Sequence, residues 1–167
     1  LYPEPMPGED ELIQLRREKL ARLRARGIDP YPPRVERTHT AAEAVAACER
    51  WESAGSAGEA PSVSVTGRIT ASRDMGKSTF IDVRDGSERI QCFIKQNIVG
   101  EDAYAGLAEL DLGDFIGVSG PLMRTRAGEV SVEARAITVL AKTLRPPPEK
   151  WHGVEDVEIR YRQRYLD

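Results

Sequence analysis

The spacing of apolar residues changes along the chain near residue 62. Before it, "EDELIQLRREKLARLRARG" repeats leucine at helical spacing and ends at Gly27. In "THTAAEAVAACERWE", Thr40 is followed three residues later by Glu43, which predicts a second helix with a capping box. The first helix is expected to have a solvated basic side, with contact to tRNA or a partner as the alternative; this side consists of Arg16, Arg17, Lys19, Arg22, Arg24 and Arg26.

From 62 to 142 the apolar period is two, which predicts strands. Three strands come first, then a short helix in "EDAYAGLAEL", then two more strands. This order is typical of the OB-fold, a five-stranded Greek-key barrel with a helix between strands 3 and 4. The predicted class is mainly β with flanking N-terminal helices, and a small α+β sandwich is the alternative.

Small residues and prolines divide the chain into three predicted parts. "SAGSAGEAPS" reads as a linker, and three prolines at 146–148 favour a semi-rigid spacer. We therefore expect a helical extension over residues 1–61, the barrel over 62–145, and a linker with the start of a helix over 146–167.

The stretch "FIDVRDGSERIQCFI" reads as a hairpin turning at Gly86 and Ser87. In that register Ile81 faces Cys92 on a buried side, and Phe80 faces Phe93 on the outer side. The outer side then carries Phe80, Asp82, Arg84, Arg89, Gln91 and Phe93. A one-residue slip would exchange the two faces, so burial of the apolar set determines the register.

Exposed phenylalanines between arginines and an amide suit the stacking of unpaired bases. The loops beside this face, "RDMGK" and "RTRAGE", add Arg73, Lys77, Arg124 and Arg126. In OB-folds these loops and the face of strands 2 and 3 bind oligonucleotides. Alternatively, the N-terminal helix or a partner domain covers the two phenylalanines.

Composition limits the chemistry. The 167 residues carry a net charge of −3, two cysteines and two histidines, His39 and His152. From these counts we expect no disulfide framework and no metal site. We also expect no catalytic residues and no cofactor in the chain itself. No signal peptide or membrane-length apolar run is visible, so we expect a cytoplasmic protein. The chain begins at Leu1 and is interpreted as a piece of a longer protein.

Several motifs together resemble the anticodon-binding region of bacterial-type class II lysyl-tRNA synthetases. They are "RREKLARLRARGIDPYP", "RDMGKSTFIDVRD", "DLGDFIGVSG", "LRPPPEKWHG" and "RYRQRYLD". The resemblance implies that the barrel binds the uridine-rich anticodon of lysine tRNA. It also implies that the full-length enzyme is a homodimer using ATP and Mg²⁺, with a catalytic domain absent from these residues, so that the piece alone is inactive.

The resemblance also assigns roles to four residues. Phe80 corresponds to the phenylalanine that stacks on the central base, and Gln91 to the glutamine that hydrogen-bonds this base. Arg73 corresponds to a basic residue beside it, and Glu129 to a glutamate that helps to recognise a flanking base. Further RNA contacts are expected from Lys77, Arg84, Arg89, Phe93, Arg124 and Arg126. The alternatives are an aspartyl- or asparaginyl-tRNA synthetase module, a general single-strand binder and a protein-interaction module.

Overall fold

The computed structural model describes residues 8–145, so the predicted spacer and helix at 146–167 lie outside the described residues. The elements are α1 (Glu9–Ala25), α2 (Ala41–Ser53), β1 (Ser62–Asp74), β2 (Ser78–Arg84), β3 (Arg89–Lys95), α3 (Gln96–Val99), α4 (Glu101–Ala105), a 3-10 helix (Gly106–Glu109), β4 (Phe115–Arg124), β5 (Val130–Glu133) and β6 (Ala136–Ala141). In this part of the chain no helix combines the length and apolar character that crossing a membrane requires.

The strands close into a barrel. Their order is β1-β2-β3-β5-β4, and the pairing of β1 with β4 closes the sheet. β5 and β6 both pair antiparallel with β4, through Leu122 with Val132 and Ile116 with Val139, so together they form the fifth strand with a bulge between them. The chain from α3 to the 3-10 helix links strands 3 and 4. The predicted OB-fold is confirmed.

The β2–β3 hairpin has the predicted register. Ile81 pairs with Cys92 and Phe80 with Phe93. Ile81, Val83, Ile90, Cys92 and Ile94 are at most 1 % exposed and belong to the barrel core. Because these five side chains fill the interior, their neighbours in sequence are directed to the outer face.

Helix α2 shares the barrel core. Its Ala41, Ala44, Ala47 and Cys48 belong to the same buried cluster as the strands. The predicted capping box is confirmed, since Thr40 accepts from the Glu43 backbone N–H and the Glu43 carboxylate accepts from that of Thr40. The core therefore extends into the first 61 residues, and the domain boundary at residue 62 stays a prediction.

Helix α1 is fastened to the barrel through its basic side. The expectation that Arg16 lies on a solvated face is wrong: it is buried, and its guanidinium donates to the carbonyl oxygens of Thr143 (2.9 Å) and Leu112 (3.0 Å). Three further tethers follow the same helix: Lys19 to Asp111, Arg22 to Glu109, and Arg26 to the Asp102 carbonyl. An arginine side chain can be buried when carbonyl oxygens accept hydrogen bonds from its guanidinium group. The helical pattern of the sequence does not show that such carbonyl groups are nearby.

A buried ion cluster lies where β6 leaves the barrel. The Lys142 ammonium group is fully buried and contacts the carboxylates of Asp111 and Asp114. Asp114 also accepts hydrogen bonds from the backbone N–H groups of Asp111 and Thr143, at 2.8 Å each. Such a cluster tolerates burial because each charge has several partners. It connects the approach to β4 with the chain that follows β6.

We predict that Gly120→Ala destabilises the barrel. A Cβ at Gly120 would lie 1.9 Å from the Glu133 carbonyl oxygen, at the bulge between β5 and β6. Because backbone must move to relieve this overlap, the loss of unfolding free energy is expected to reach at least about 2 kcal/mol. Gly117→Ala is the matched control, since its Cβ would meet Val35 at an ordinary 3.5 Å. Urea unfolding measures both, and equal stabilities would contradict the close approach.

A second prediction concerns Asp85, which accepts at 2.8 Å from the Ala41 N–H at the start of α2. Burial alone raises the pKa of this carboxyl, but hydrogen bonds from the Ser87 side chain and from backbone N–H groups outweigh it and lower the pKa from 3.8 to about 2. A lowered pKa stabilises the fold above the unfolded-state value, and this contribution is lost as the pH falls through about 2.

The free energy of unfolding should therefore differ most between the wild type and Asp85→Asn above pH 4, with the difference shrinking toward pH 2. Asp10→Asn, which removes an exposed carboxylate from α1, is the control. Urea unfolding across this pH range makes the measurement. A stability difference at Asp85 that does not change with pH would show that its carboxylate does not hold α2.

Candidate nucleic-acid interface

Two aromatic rings form the centre of the outer face. Phe80 of β2 and Phe93 of β3 are directly paired, and their rings stack with centroids 4.4 Å apart and planes 5° from parallel. Both side chains are partly exposed. Because each ring covers one face of the other, only the two outward faces of the pair are open to a third flat group.

A cation lies over each outward face. The Arg73 guanidinium carbon is 5.9 Å from the Phe80 centroid, and the Lys95 ammonium nitrogen is 4.8 Å from the Phe93 centroid. Lys95 is also paired with Glu133 at 2.8 Å, whereas Arg73 is exposed and has no acidic partner within residues 8–145. The Arg73 contact is at the outer limit of a cation–π interaction. The Phe80 side of the stack is therefore the side that opens more easily.

A base entering between Phe80 and Arg73 needs about 3.5–4 Å on each of its faces, or about 7–8 Å in total. The present spacing of 5.9 Å is shorter, so Arg73 must move outward by roughly 1–2 Å. The side chain is solvent-exposed and carries no competing ion pair in the described part of the chain. The arrangement thus permits a sandwich of arginine, base and phenylalanine.

Gln91 lies on the same face but is only 5 % exposed. Its Oε1 accepts a 2.9 Å hydrogen bond from the Ser131 hydroxyl, because β5 runs parallel beside β3 and aligns these two residues. The Gln91 Nε2 has no hydrogen-bond partner among residues 8–145, and no fully buried side-chain nitrogen there lacks one, so Nε2 retains contact with solvent. Ser131 orients the amide and leaves its donors available.

Glu129 reaches the hairpin through Arg89. The Arg89 guanidinium binds Asp82 at 3.0 Å and also contacts the Glu129 carboxylate. Burial lowers the pKa of Arg89, but these two carboxylates outweigh it and the net pKa is raised. Arg89 therefore remains charged and links the loop after β4 to the middle of the hairpin, where its predicted contact with RNA must compete with two ion pairs.

The other predicted cations divide into two groups. Arg124 is bound to Glu52 of α2 at 2.7 Å and to the Gly128 carbonyl at 2.7 Å, so it fastens the β4–β5 loop. Lys77, Arg84 and Arg126 are exposed, the first and last in the loops beside the face and Arg84 at the far end of β2.

Sequence reasoning overlooked two residues of this face. Lys95 follows Phe93 by two positions, so strand alternation places it on the same side, and this signal was present in the sequence. Ser131 had no such signal, because its contact with Gln91 joins residues forty positions apart through a parallel strand pair.

The groups that this face presents are aromatic rings, guanidinium groups and an amide, which can stack on a ligand and hydrogen-bond to it. Within residues 8–145, His, Cys, Asp and Glu side chains form no group of three that would suit a metal ion. Both cysteines are buried, and burial raises the pKa of the Cys92 thiol to about 12, which keeps it protonated.

A family model matches the barrel. Residues 63–140 match the tRNA anticodon family, described as an OB-fold nucleic acid binding domain. Over these residues the barrel is similar to this family. The match includes the residues of the outer face described above, from Arg73 on β1 to Ser131 on β5.

The OB-fold domain and its flanking segments are also similar to curated lysine–tRNA ligases. The chain is 48 % identical over 158 residues to that of Pelotomaculum thermopropionicum, 50 % over 159 residues to that of Dehalococcoides mccartyi, and 48 % over 162 residues to that of Xylella fastidiosa. Each alignment covers 95 % of this chain but only 30 to 32 % of the relative, so the chain spans about a third of their length. The predicted resemblance to the lysine enzymes is confirmed.

Proposed function

We propose that this chain binds the anticodon of lysine tRNA as part of a lysine–tRNA ligase. The observation that carries the proposal is the Phe80–Phe93 stack on the outer face of an OB-fold nucleic acid binding domain. A turned-out anticodon base stacks on the open face of Phe80, beneath the guanidinium of Arg73. Phe93 supports Phe80 from behind.

The support by Phe93 makes the stacking surface rigid before RNA arrives. With its ring held 5° from parallel to that of Phe93, Phe80 loses little rotamer freedom when a base binds. A base stacked on an aromatic side chain contributes about 1–3 kcal/mol, whichever base it is. Affinity therefore comes from the stack, and base preference must come from polar groups beside it.

Gln91 is the group that reads the base edge. Uridine presents carbonyl acceptors flanking an N3–H donor, and the free Nε2 donors of Gln91 complement such an acceptor. The hydrogen bond from Ser131 prevents the amide from turning to suit another base. Glu129, held by Arg89, supplies a carboxylate that accepts from a flanking base. Lys77 and Arg126 bind phosphates of the RNA backbone.

The reaction of the whole enzyme is a further part of the proposal. It rests on the names of the relatives and on their alignment with 95 % of this chain. The enzyme is a cytoplasmic homodimer that joins lysine to its tRNA with ATP and Mg²⁺. These 167 residues hold two histidines and no Gly-rich nucleotide loop, so we expect the chain alone to bind tRNA without charging it.

The first prediction from this proposal is that Phe80→Ala raises the dissociation constant for a lysine anticodon stem-loop by about 10-fold or more, because the stacking energy is lost. Phe80→Trp keeps a flat ring and is the matched control, expected to bind within a few-fold of the wild type. Fluorescence titration measures both. An unchanged constant for Phe80→Ala would remove this residue from the site.

The second prediction is that Gln91→Ala reduces base preference more than overall affinity, since hydrogen bonds to base edges specify sequence and stacking does not. The ratio of dissociation constants for stem-loops with a central uridine and a central cytidine should approach one. Equal weakening of both complexes with the ratio intact would contradict the role of Gln91, whereas a ratio near one for the wild type itself would favour a general single-strand binder.

A further inference from the structure

We propose that the other end of the same face holds a second RNA subsite, which takes a backbone phosphodiester rather than a base. It is formed by Arg37, Arg68 and Arg84 around the ring of Phe115. The inference deepens the proposed function and rests on it. Of these four residues, only Arg84 was expected from the sequence to contact RNA.

The core of the subsite is a row of four residues that are paired across four neighbouring strands. Phe115 of β4 pairs with Arg68 of β1, Arg68 pairs with Arg84 of β2, and Arg84 pairs with Arg89 of β3. The Arg68 guanidinium carbon lies 4.8 Å from the centroid of Phe115. Cross-strand partners point to the same face of a sheet, so three arginines stand side by side.

Like charges placed directly opposite each other destabilise a sheet unless something neutralises them. Arg89 has Asp82 and Glu129 as partners. Arg68 and Arg84 are exposed, and no carboxylate within residues 8–145 is paired with either. The Asp85 carboxylate also lines this region and is ionised, while its oxygens accept from the Ala41, Ser87 and Glu88 N–H groups, so it offsets one of the three arginine charges. Three guanidinium groups, of Arg37, Arg68 and Arg84, against one carboxylate leave a net charge of +2 for an anion.

The row opens into a cavity of about 540 Å³. Its polar lining includes the three arginines with Thr66 and Thr70, and its apolar wall consists of Phe115, Leu140 and Ala141. Gly67 is also among the lining residues, and a Cβ there would lie 2.5 Å from the Arg84 carbonyl oxygen, so β1 and β2 approach each other closely at this point. A cavity with guanidinium groups on one side and an apolar wall on the other matches a phosphate attached to a sugar.

Arg37 reaches the cavity from a separate segment. The chain beside it runs along β1, with the Thr38 N–H donating to the Ser64 carbonyl at 2.9 Å and the Thr38 hydroxyl accepting from the Ser64 N–H at 2.8 Å. Arg37 is exposed and has no acidic partner in the described residues. The extended segment before α2 therefore supplies a third guanidinium over the same cavity.

The distance to the aromatic stack suits one RNA strand. Arg84 follows Phe80 by four residues along β2, which corresponds to roughly 13 Å. A strand whose base stacks on Phe80 can lay a neighbouring phosphate against Arg84. Contacts to phosphates position an RNA without reading its sequence, so this subsite adds affinity and orientation only.

The test combines Arg68→Gln and Arg84→Gln in one chain and titrates it with the lysine anticodon stem-loop at several salt concentrations. We expect a dissociation constant about 5-fold or more higher at low salt and a salt slope smaller by about 0.7 for each phosphate that the variant no longer binds. The preference for central uridine over cytidine should be unchanged. Arg24→Gln, which removes an exposed arginine from α1, is the matched control and should keep the wild-type slope.

If the double variant keeps the wild-type constant and slope while Phe80→Ala weakens binding, the phosphate subsite is wrong and the proposed function stands. If the wild type fails to bind the stem-loop, the proposed function is wrong. A second measurement then decides the subsite: NMR of the arginine Nε–H groups during titration with a 5′-phosphorylated uridine dinucleotide. Shifts at Arg37, Arg68 and Arg84 support it. Shifts with a polyglutamate peptide instead would make the cavity a protein-docking site and overturn it.

Discussion

The pairing register of β2 with β3 is the constraint on which the aromatic face depends. Ile81, Val83, Ile90, Cys92 and Ile94 are at most 1 % exposed, and a shift of one residue would place them all in water. At about 1.5–3 kcal/mol for each large apolar side chain, that exposure would cost about as much as the whole stability of a typical domain. The same register brings Phe80 and Phe93 together outside the barrel.

The arginines of this face fall into two groups: some are bound to carboxylates and hold the structure together, and others are exposed and available to RNA. Arg89 and Arg124 are held by carboxylates and fix the loop after β4 against the hairpin and α2. Arg73, Arg68 and Arg84 are exposed and have no such partner among residues 8–145. A net charge of −3 is compatible with RNA binding because Arg68, Arg73 and Arg84 place three guanidinium groups without carboxylate partners in the described part of the chain on the outer side of β1 and β2. Ion pairs elsewhere, such as Lys142 with Asp114, stabilise the scaffold.

Local patterns in the sequence were sufficient for much of the fold. The two-residue turn at Gly86 and Ser87 and the alternation around it predicted the register of Phe80 with Phe93, because both signals are contained in one hairpin. The Thr40–Glu43 capping box is equally local. The burial of Gln91 was not predictable in this way, since it depends on Ser131 of a strand that pairs in parallel. The burial of Arg16 depends on carbonyl groups about a hundred residues away.

The most direct measurement is intermolecular NOE spectroscopy on this chain bound to a lysine anticodon stem-loop. We expect cross-peaks between the ring protons of Phe80 and the H5 and H6 protons of the central uridine, with none from that base to the ring of Phe93, which the Phe80 ring covers. Cross-peaks from the anticodon to other parts of the barrel, with the Phe80 ring protons unaffected, would contradict anticodon stacking on this face.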